Sequence, residues 1–405
     1  MLKALITGAA GQMAQPVISY LSSLAIIDQL TLADLAEEKL VKIINNNGYT
    51  KCRPLKLDVR NKQQLAEAVT GQDVVVNFVG PYYRFGTTVL KAAIENGVNY
   101  VDIVDDFDTT AELLELNDKA AAAGITALIA MGASPGVINV LARLGSEQMD
   151  QTDEINTYWV VGESSPEFTG ALKHFFHVMG SKIPTFENGQ MKKIWPFRND
   201  GAQTIAFLPP LGEFKLYHIG HPEPVTLSRF IPGVKTVTNR GALYPASLNQ
   251  IFKVLVNYGI TSDVPIPFRG EMVAPLEFFE ALYNERLAHM PKTTEPSLGA
   301  MGVEIKGKKG NQEMIHWYTH STNAEMEETT GYPAAVGAEM MLTGEITQKG
   351  VIAPECLNPQ KFLKILSQAT SVYDTVVLTE KIDGIVKKEG RLFDGQTWSD
   401  LLKGD

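Results

Sequence analysis

Three groups of residues in this 405-residue chain have types and spacings that could do chemistry. The first is Gly8-Ala9-Ala10-Gly11-Gln12-Met13-Ala14, directly after the apolar run Leu2, Ala4, Leu5 and Ile6. Glycines at 8 and 11 let the backbone turn tightly and come close to a pyrophosphate, whose charge then meets the free amides opening a helix. Gly8, Ala10, Gly11, Gln12 and Met13 are therefore candidate contacts to a dinucleotide. Asp34 closes the next apolar run, Leu30-Thr31-Leu32-Ala33-Asp34. Its carboxylate suits the hydroxyls of the adenosine ribose and repels a 2′-phosphate, which favours NAD over NADP.

The second group lies where later strands should end, the place where ligands bind in an open α/β sheet. Asp58 and Val59 fall where an adenine would lie, although Asp58 could equally place charge at the start of the next helix. In Asn77-Phe78-Val79-Gly80-Pro81, glycine lets the backbone lie against the ribose and nicotinamide and proline stiffens the turn, so Asn77, Val79, Gly80 and Pro81 are further cofactor candidates. Asp102, Asp105 and Asp106 end one strand together; Asp105 could face a substrate amine or the nicotinamide carboxamide, while Asp106 or Asp108 could simply cap the following helix. Gly132-Ala133-Ser134-Pro135-Gly136 is another tight turn feeding a helix, with Ser134 suited to a polar ligand group.

The third group is histidine-based. His174 and His177, His218 and His221, and His316 and His320 occur in pairs. In a strand, His316 and His320 would stand about 13 Å apart, too far to share an ion, and the other pairs lack an obvious carboxylate at ligand spacing. No metal site is expected. The segment Tyr217-His218-Ile219-Gly220-His221-Pro222-Glu223-Pro224 reads as a rigid turn that could aim an imidazole and a carboxylate for proton transfer, or serve as a structural loop.

The elements that must position these groups alternate between strand and helix patterns to about residue 145. Strands are expected near 2–6, 30–34, 54–57, 73–78, 100–104 and 125–131, with helices in the gaps. This predicts an α/β fold, a Rossmann-type doubly wound parallel sheet over 1–145. From 146 to 330, short alternating runs rich in aromatic residues, with helical spacing near 245–258 and 276–287, predict a mixed α+β substrate and dimerisation domain. Residues 331–405 read as helices returning to the first domain, with Pro333 and Pro359 each at a first helical turn.

A net charge of −10 argues against a phosphate-backbone partner, and no apolar stretch is long enough for a bilayer. Cys52 and Cys356 alone cannot form a disulfide framework, and the first strand begins without room for a signal peptide, so a cytoplasmic location is expected. Short-chain dehydrogenases share the glycine turn but use a Tyr-x-x-x-Lys pair. No tyrosine here has a lysine four residues on.

Taken together, the glycine turn, Val75 to Pro81, Gly97-Val98-Asn99-Tyr100-Val101-Asp102, Gly132 to Gly136, Gly220-His221-Pro222-Glu223, Gly331-Tyr332-Pro333-Ala334-Ala335 and Gly350-Val351-Ile352-Ala353-Pro354-Glu355 resemble the saccharopine dehydrogenase family, including its lysine 6-dehydrogenase branch. The resemblance implies a nucleotide domain split by an inserted substrate domain, and NAD(P)-dependent oxidation at a carbon bearing nitrogen in an amino acid or opine. It makes His221, Glu223 and Asp105 candidates for proton transfer, and Arg229 or Arg240 candidates for holding a substrate carboxylate. Saccharopine-forming members carry Gly-x-Asp-Pro-Gly where this chain has Ser134, and NADP-preferring members place a Ser-Arg pair near the position of Asp34. Both differences point to NAD and away from saccharopine itself. A homodimer is expected, and a non-catalytic NAD(H)-binding regulator is the alternative class.

Overall fold

The computed structural model describes residues 2–162, 170–287, 289 and 298–393. Short segments, most of them rich in Val, Ile or Leu, become the strands of a parallel sheet whose faces are covered by helices. These are β1 (Leu2–Thr7), β2 (Ile27–Asp34), β3 (Cys52–Lys56), β4 (Val74–Asn77), β5 (Asn99–Asp102) and β6 (Thr126–Leu128). The order across the sheet is β6-β5-β4-β1-β2-β3, so the chain reverses direction beside β1. The crevice at that reversal lies between the ends of β1 and β4, where Thr7 pairs with Asn77 and the Thr7 hydroxyl donates to the Asn77 carbonyl at 2.8 Å.

The second sheet has ten strands: β7 (Gln151–Gly162), β8 (Ile183–Glu187), β9 (Gln190–Ile194), β10 (Gln203–Ala206), β11 (Glu213–His218) and β12 (Thr236–Tyr244), and beyond the small hairpin β13 (Ile266–Phe268) and β14 (Glu271–Val273), β15 (Gly299–Lys309) and β16 (Gln312–Thr322) among others. It is antiparallel except where β12 runs parallel to β7. One register row crosses five strands: Tyr217, Gly241, Trp159, Met301 and His320 stand directly opposite one another and share a face. Gly241 is required in that row, since a Cβ there would sit 2.3 Å from the Trp159 indole.

The C-terminal segment departs from the all-helical expectation. Its first strand, β17 (Gly350–Ile352), adds a seventh parallel strand beside β6, and β18 (Val377–Ile382) and β19 (Ile385–Arg391) form a hairpin that extends the second sheet from β16. A three-residue strand carries too little alternation to register, and β19 is mostly solvent-facing. Residues 394–405 lie outside the described residues.

Pro333 also sits differently from expectation, inside the helix Met326–Leu342 rather than at its first turn. Proline has no N–H to offer the carbonyl four residues back. That carbonyl, on Thr329, instead accepts the hydroxyl of Tyr373, so the helix continues without an orphaned acceptor. The same helix packs on Gln15–Ser23: Tyr20 donates to Glu339 at 2.6 Å, and a Cβ on Gly331 would come within 2.8 Å of the Met13 carbonyl. The C-terminal part of the chain thereby buttresses the glycine turn. The helix Pro359–Ala369 begins as expected, with Asn358 accepting from the Lys361 amide. Among the described residues no helix is long and apolar enough to cross a membrane.

Candidate active site

A cavity of about 530 Å³ runs from the glycine turn into the second sheet, and the register row Trp159, Met301 and His320 forms part of its wall. At one end lie Gly11, Gln12, Met13, Phe78, Gly80 and Pro81. The backbone there fits a dinucleotide. Gly8 has φ +72° and closes the turn by accepting the Gly11 amide at 3.1 Å, and the amides of Gln12 to Ala14 open the helix beyond. A Cβ on Gly8 would stand 2.6 Å from the carbonyl carbon of Phe78 and 2.9 Å from the Val79 amide. Gly8→Ala is therefore expected to cost about 1–3 kcal/mol in stability and to weaken nicotinamide-dinucleotide binding at least tenfold, read by thermal melts and by fluorescence titration with the reduced cofactor.

Asp34 closes β2 as expected, and its two oxygens accept the Ala10 amide at 3.1 Å and the Ala36 amide at 3.0 Å. It thus braces the glycine turn itself. Asn77 is fully buried, and its side chain accepts from Thr7 and from the Val79 amide and donates to the Tyr100 hydroxyl. Its side chain shapes the loop from behind. Val79 packs with the core at the outer face of the sheet. Asp58 and Val59 follow β3 outside the cavity lining. Arg60 hydrogen-bonds both Asp58 oxygens and holds that carboxyl down at about 2.

At the other end the chain converges on acid–base groups. Asp102 does not join them: it is buried and accepts the Ala130 amide at 2.7 Å and the Val104 amide at 3.1 Å, tying the ends of β5 and β6 together. Burial lifts it to about 6. Asp106 does not cap the helix that follows it, but accepts the Tyr83 amide at 2.9 Å and pairs with His174 Nδ1 at 2.6 Å. Asp105 Oδ1 stands 3.2 Å from the same nitrogen. Burial opposes charge on His174, but Asp105 and then Asp106 override it and carry the imidazole up to about 9, while burial pushes the Asp105 carboxyl upward. His174 comes from the helix Gly170–Met179, and sequence spacing concealed its carboxylates because the nearer of them in the chain, Asp106, lies 68 positions away. The three ligand atoms fall within 4.8 Å of one another; His174 Nδ1 is paired with Asp106, while Asp105 Oδ1 and His174 Nε2 are buried with no hydrogen-bond partner among the described residues.

His221 and Glu223 are brought together as the rigid turn predicts. His221 Nδ1 lies 2.7 Å from Glu223 Oε2, and the Ser134 hydroxyl donates to Glu223 Oε1 at 2.6 Å. Glu223 opens the helix Glu223–Phe230 and is fully buried. Burial would raise it, but His221 first and Ser134 after it bring its carboxyl below the ordinary value, so it is ionised and accepts only. The shared proton then belongs to His221 Nδ1, and Nε2 is the ring nitrogen that Glu223 leaves uncommitted. The imidazole stacks obliquely on Trp159 at 5.2 Å and lies edge-on to His174 at 5.7 Å. Both line the cavity.

The two arginines expected to hold a carboxylate do not reach this site. Arg229 is exposed on its helix and lies over Phe230. Arg240 pairs in register with Tyr158, on the face of the sheet opposite Trp159, and is used up on the Gly201 carbonyl, Thr238 and His218 Nε2. The same pairing removes His218 from the site, and burial, with Arg240 after it, lowers the imidazole to about 4. His320, missed as a site residue, lines the cavity with Nδ1 2.9 Å from the Thr375 hydroxyl.

The family model for the saccharopine dehydrogenase NADP binding domain matches residues 4–128, and that for the saccharopine dehydrogenase C-terminal domain matches residues 132–371. The chain belongs to the saccharopine dehydrogenase family. It is 25% identical to carboxynorspermidine synthase of Vibrio cholerae over 377 residues, 84% of this chain and 88% of that one. Over 401 residues it is 25% identical to carboxyaminopropylagmatine dehydrogenase of Synechocystis, 93% of this chain and 98% of that one. Saccharopine dehydrogenase (L-Glu forming) from Saccharomyces cerevisiae shares the fold, with a TM-score of 0.68 at 18% identity over 94% of this chain and all of that one. As a member of this family the chain is an NAD(P)-dependent oxidoreductase of α/β architecture. Membership supports a nicotinamide cofactor, and the matching model is named for NADP, against the preference read from Asp34.

Proposed function

We propose that this enzyme oxidises or forms a carbon–nitrogen bond in an amine that carries an amino-acid arm. The observation that carries the reading is the pair of buried imidazole–carboxylate groups, His221 with Glu223 and His174 with Asp105 and Asp106, facing one cavity that continues to the dinucleotide turn. A bound nicotinamide supplies the hydride acceptor or donor. In the oxidative direction, His221 Nε2 takes the proton from the amine nitrogen, and Glu223 stabilises the imidazolium that forms. The substrate carbon gives up its hydride, and the resulting imine takes up water to release a carbonyl compound and an amine. The neighbouring cluster sets the Asp105 and Asp106 carboxyls against the His174 imidazole on the same cavity, a polar partner for an iminium there. Such proton-transfer groups have no use in a passive NAD(H) sensor.

The class of amine is supported by the names of the relatives, which describe polyamine or agmatine skeletons bearing a carboxyl group. NAD is proposed over NADP because the Asp34 carboxylate stands at the end of β2. A homodimer belongs to the same proposal, supported by the apolar side chains that helix Ser247–Asn257, the 266–273 hairpin and helix Pro275–Leu287 leave exposed, among them Ile251, Val254, Phe268 and Phe278. A cytoplasmic location is supported by two cysteines that are both free.

The test is reduced-cofactor formation with lysine, saccharopine, carboxynorspermidine and simple opines, each with NAD and with NADP. Turnover should concentrate on an amine with an amino-acid arm and be faster with NAD. Equal or faster turnover with NADP overturns the role of Asp34, and the absence of turnover across the panel overturns the substrate class.

A further inference from the structure

The run Gly350 to Glu355 has no part in the chemistry above, yet it drives a carboxylate into the interior. β17 docks on β6, and the turn Pro354–Cys356 that follows buries Glu355 completely. Asn139, in the first turn of the helix Val137–Ser146, donates from Nδ2 to Glu355 Oε2 at 3.0 Å and to the Thr226 hydroxyl at 3.2 Å. Its Oδ1 accepts the Gly136 amide at 3.1 Å, closing the turn that presents Ser134. Thr226 lies three residues beyond Glu223 on one helix face, so Asn139 touches both the turn that bears Ser134 and the helix that bears Glu223.

Glu355 is an expensive way to fill this space. Its Oε1 is buried with no hydrogen-bond partner among the described residues, and burial raises the carboxyl to about 7, opposed by Thr226 and Asn139 and reinforced by Glu223. A residue there for packing alone would be apolar or an amide. We propose that Glu355 is a positioning residue for the proton-transfer pair: through Asn139 and Thr226 it locks the Ser134 turn to the Glu223 helix, and so holds Glu223 on His221 Nδ1. This rests on the assignment of His221 as proton acceptor. The C-terminal return of the chain would then complete the site from behind, without touching the cavity.

The test is the nitrogen NMR signature of His221 in the full chain labelled with 15N-histidine, identified by its loss in His221→Ala. The wild type should show the Nδ1–H tautomer. Glu355→Ala should replace it with a tautomer mixture, whereas Glu355→Gln, which can still accept from Asn139 and donate to Thr226, should restore it. Thr226→Val removes the hydroxyl at nearly constant volume and should move the signature in the same direction as Glu355→Ala, which covers the case in which the alanine variant fails to fold. A wild-type His221 signature in Glu355→Ala, or in Thr226→Val if the alanine variant does not fold, overturns the proposal. If the wild type itself lacks the Nδ1–H tautomer, the His221–Glu223 assignment falls and takes this proposal with it.

Discussion

Replacing His221 with alanine is expected to lower kcat by about 10²- to 10⁴-fold while leaving the affinity for the nicotinamide dinucleotide within twofold. The imidazole is 5% exposed, stands at the cavity wall against Trp159, and has its Nδ1 committed to an ionised Glu223. Its removal would take away the proposed acceptor for the amine proton and leave the Gly8 turn and the Gly80–Pro81 loop intact. Glu223→Gln should reproduce much of the loss with the imidazole still present. A glutamine can present its amide N–H to Nδ1, which then has to accept, and the ring would turn its N–H into the cavity. Stopped-flow measurement of the hydride step, together with cofactor titration, separates these effects from a loss of binding. A His221→Ala enzyme with near wild-type kcat would remove the dyad from the mechanism.

The second large effect concerns pH. His174 is lifted from 6.5 to about 9 in the folded protein, so the folded state binds its proton more tightly than the unfolded chain does. The stabilisation is fully present below about pH 6.5 and disappears as pH rises through about 9. The gap corresponds to something on the order of 3 kcal/mol, and the Asp105 carboxyl in the same cluster, pushed upward by burial, adds a loss of the same sign as pH rises. In Asp106→Asn one carboxylate is gone, and burial, which opposes the charge, gains weight. Denaturant unfolding at pH 6, 7.5 and 9 should show wild-type stability falling across that range and a much flatter response in Asp106→Asn. Parallel curves would mean that the His174 cluster carries no such linkage.

How much of this was legible beforehand depended on the distance over which each signal acts. The glycine turn is local: a strand, two glycines and a helix start lie within fourteen residues, and the crevice appears where that pattern puts it. His221 and Glu223 were legible for the same reason, being two residues apart on a turn that Pro222 stiffens. Arg240 misled because its charge was visible but its face was not. Period-two alternation fixes which face a strand residue takes only once one partner is known, and the register with Tyr158 turns Arg240 away from the cavity. Pro333 misled because a helix can tolerate proline when an outside donor, here Tyr373, takes the orphaned carbonyl.

The sequence by itself determined the nucleotide half of the protein, because hydrophobic period, glycine freedom and helix-end electrostatics act between near neighbours in the chain. Only the tertiary structure decided the chemistry. Asp106 meets His174 across 68 positions, Ser134 meets Glu223 across 89, and Asn139 meets Glu355 across 216. The burial that sets which of these groups carries a proton exists only after two sheets and the returning C-terminal strand have closed around them.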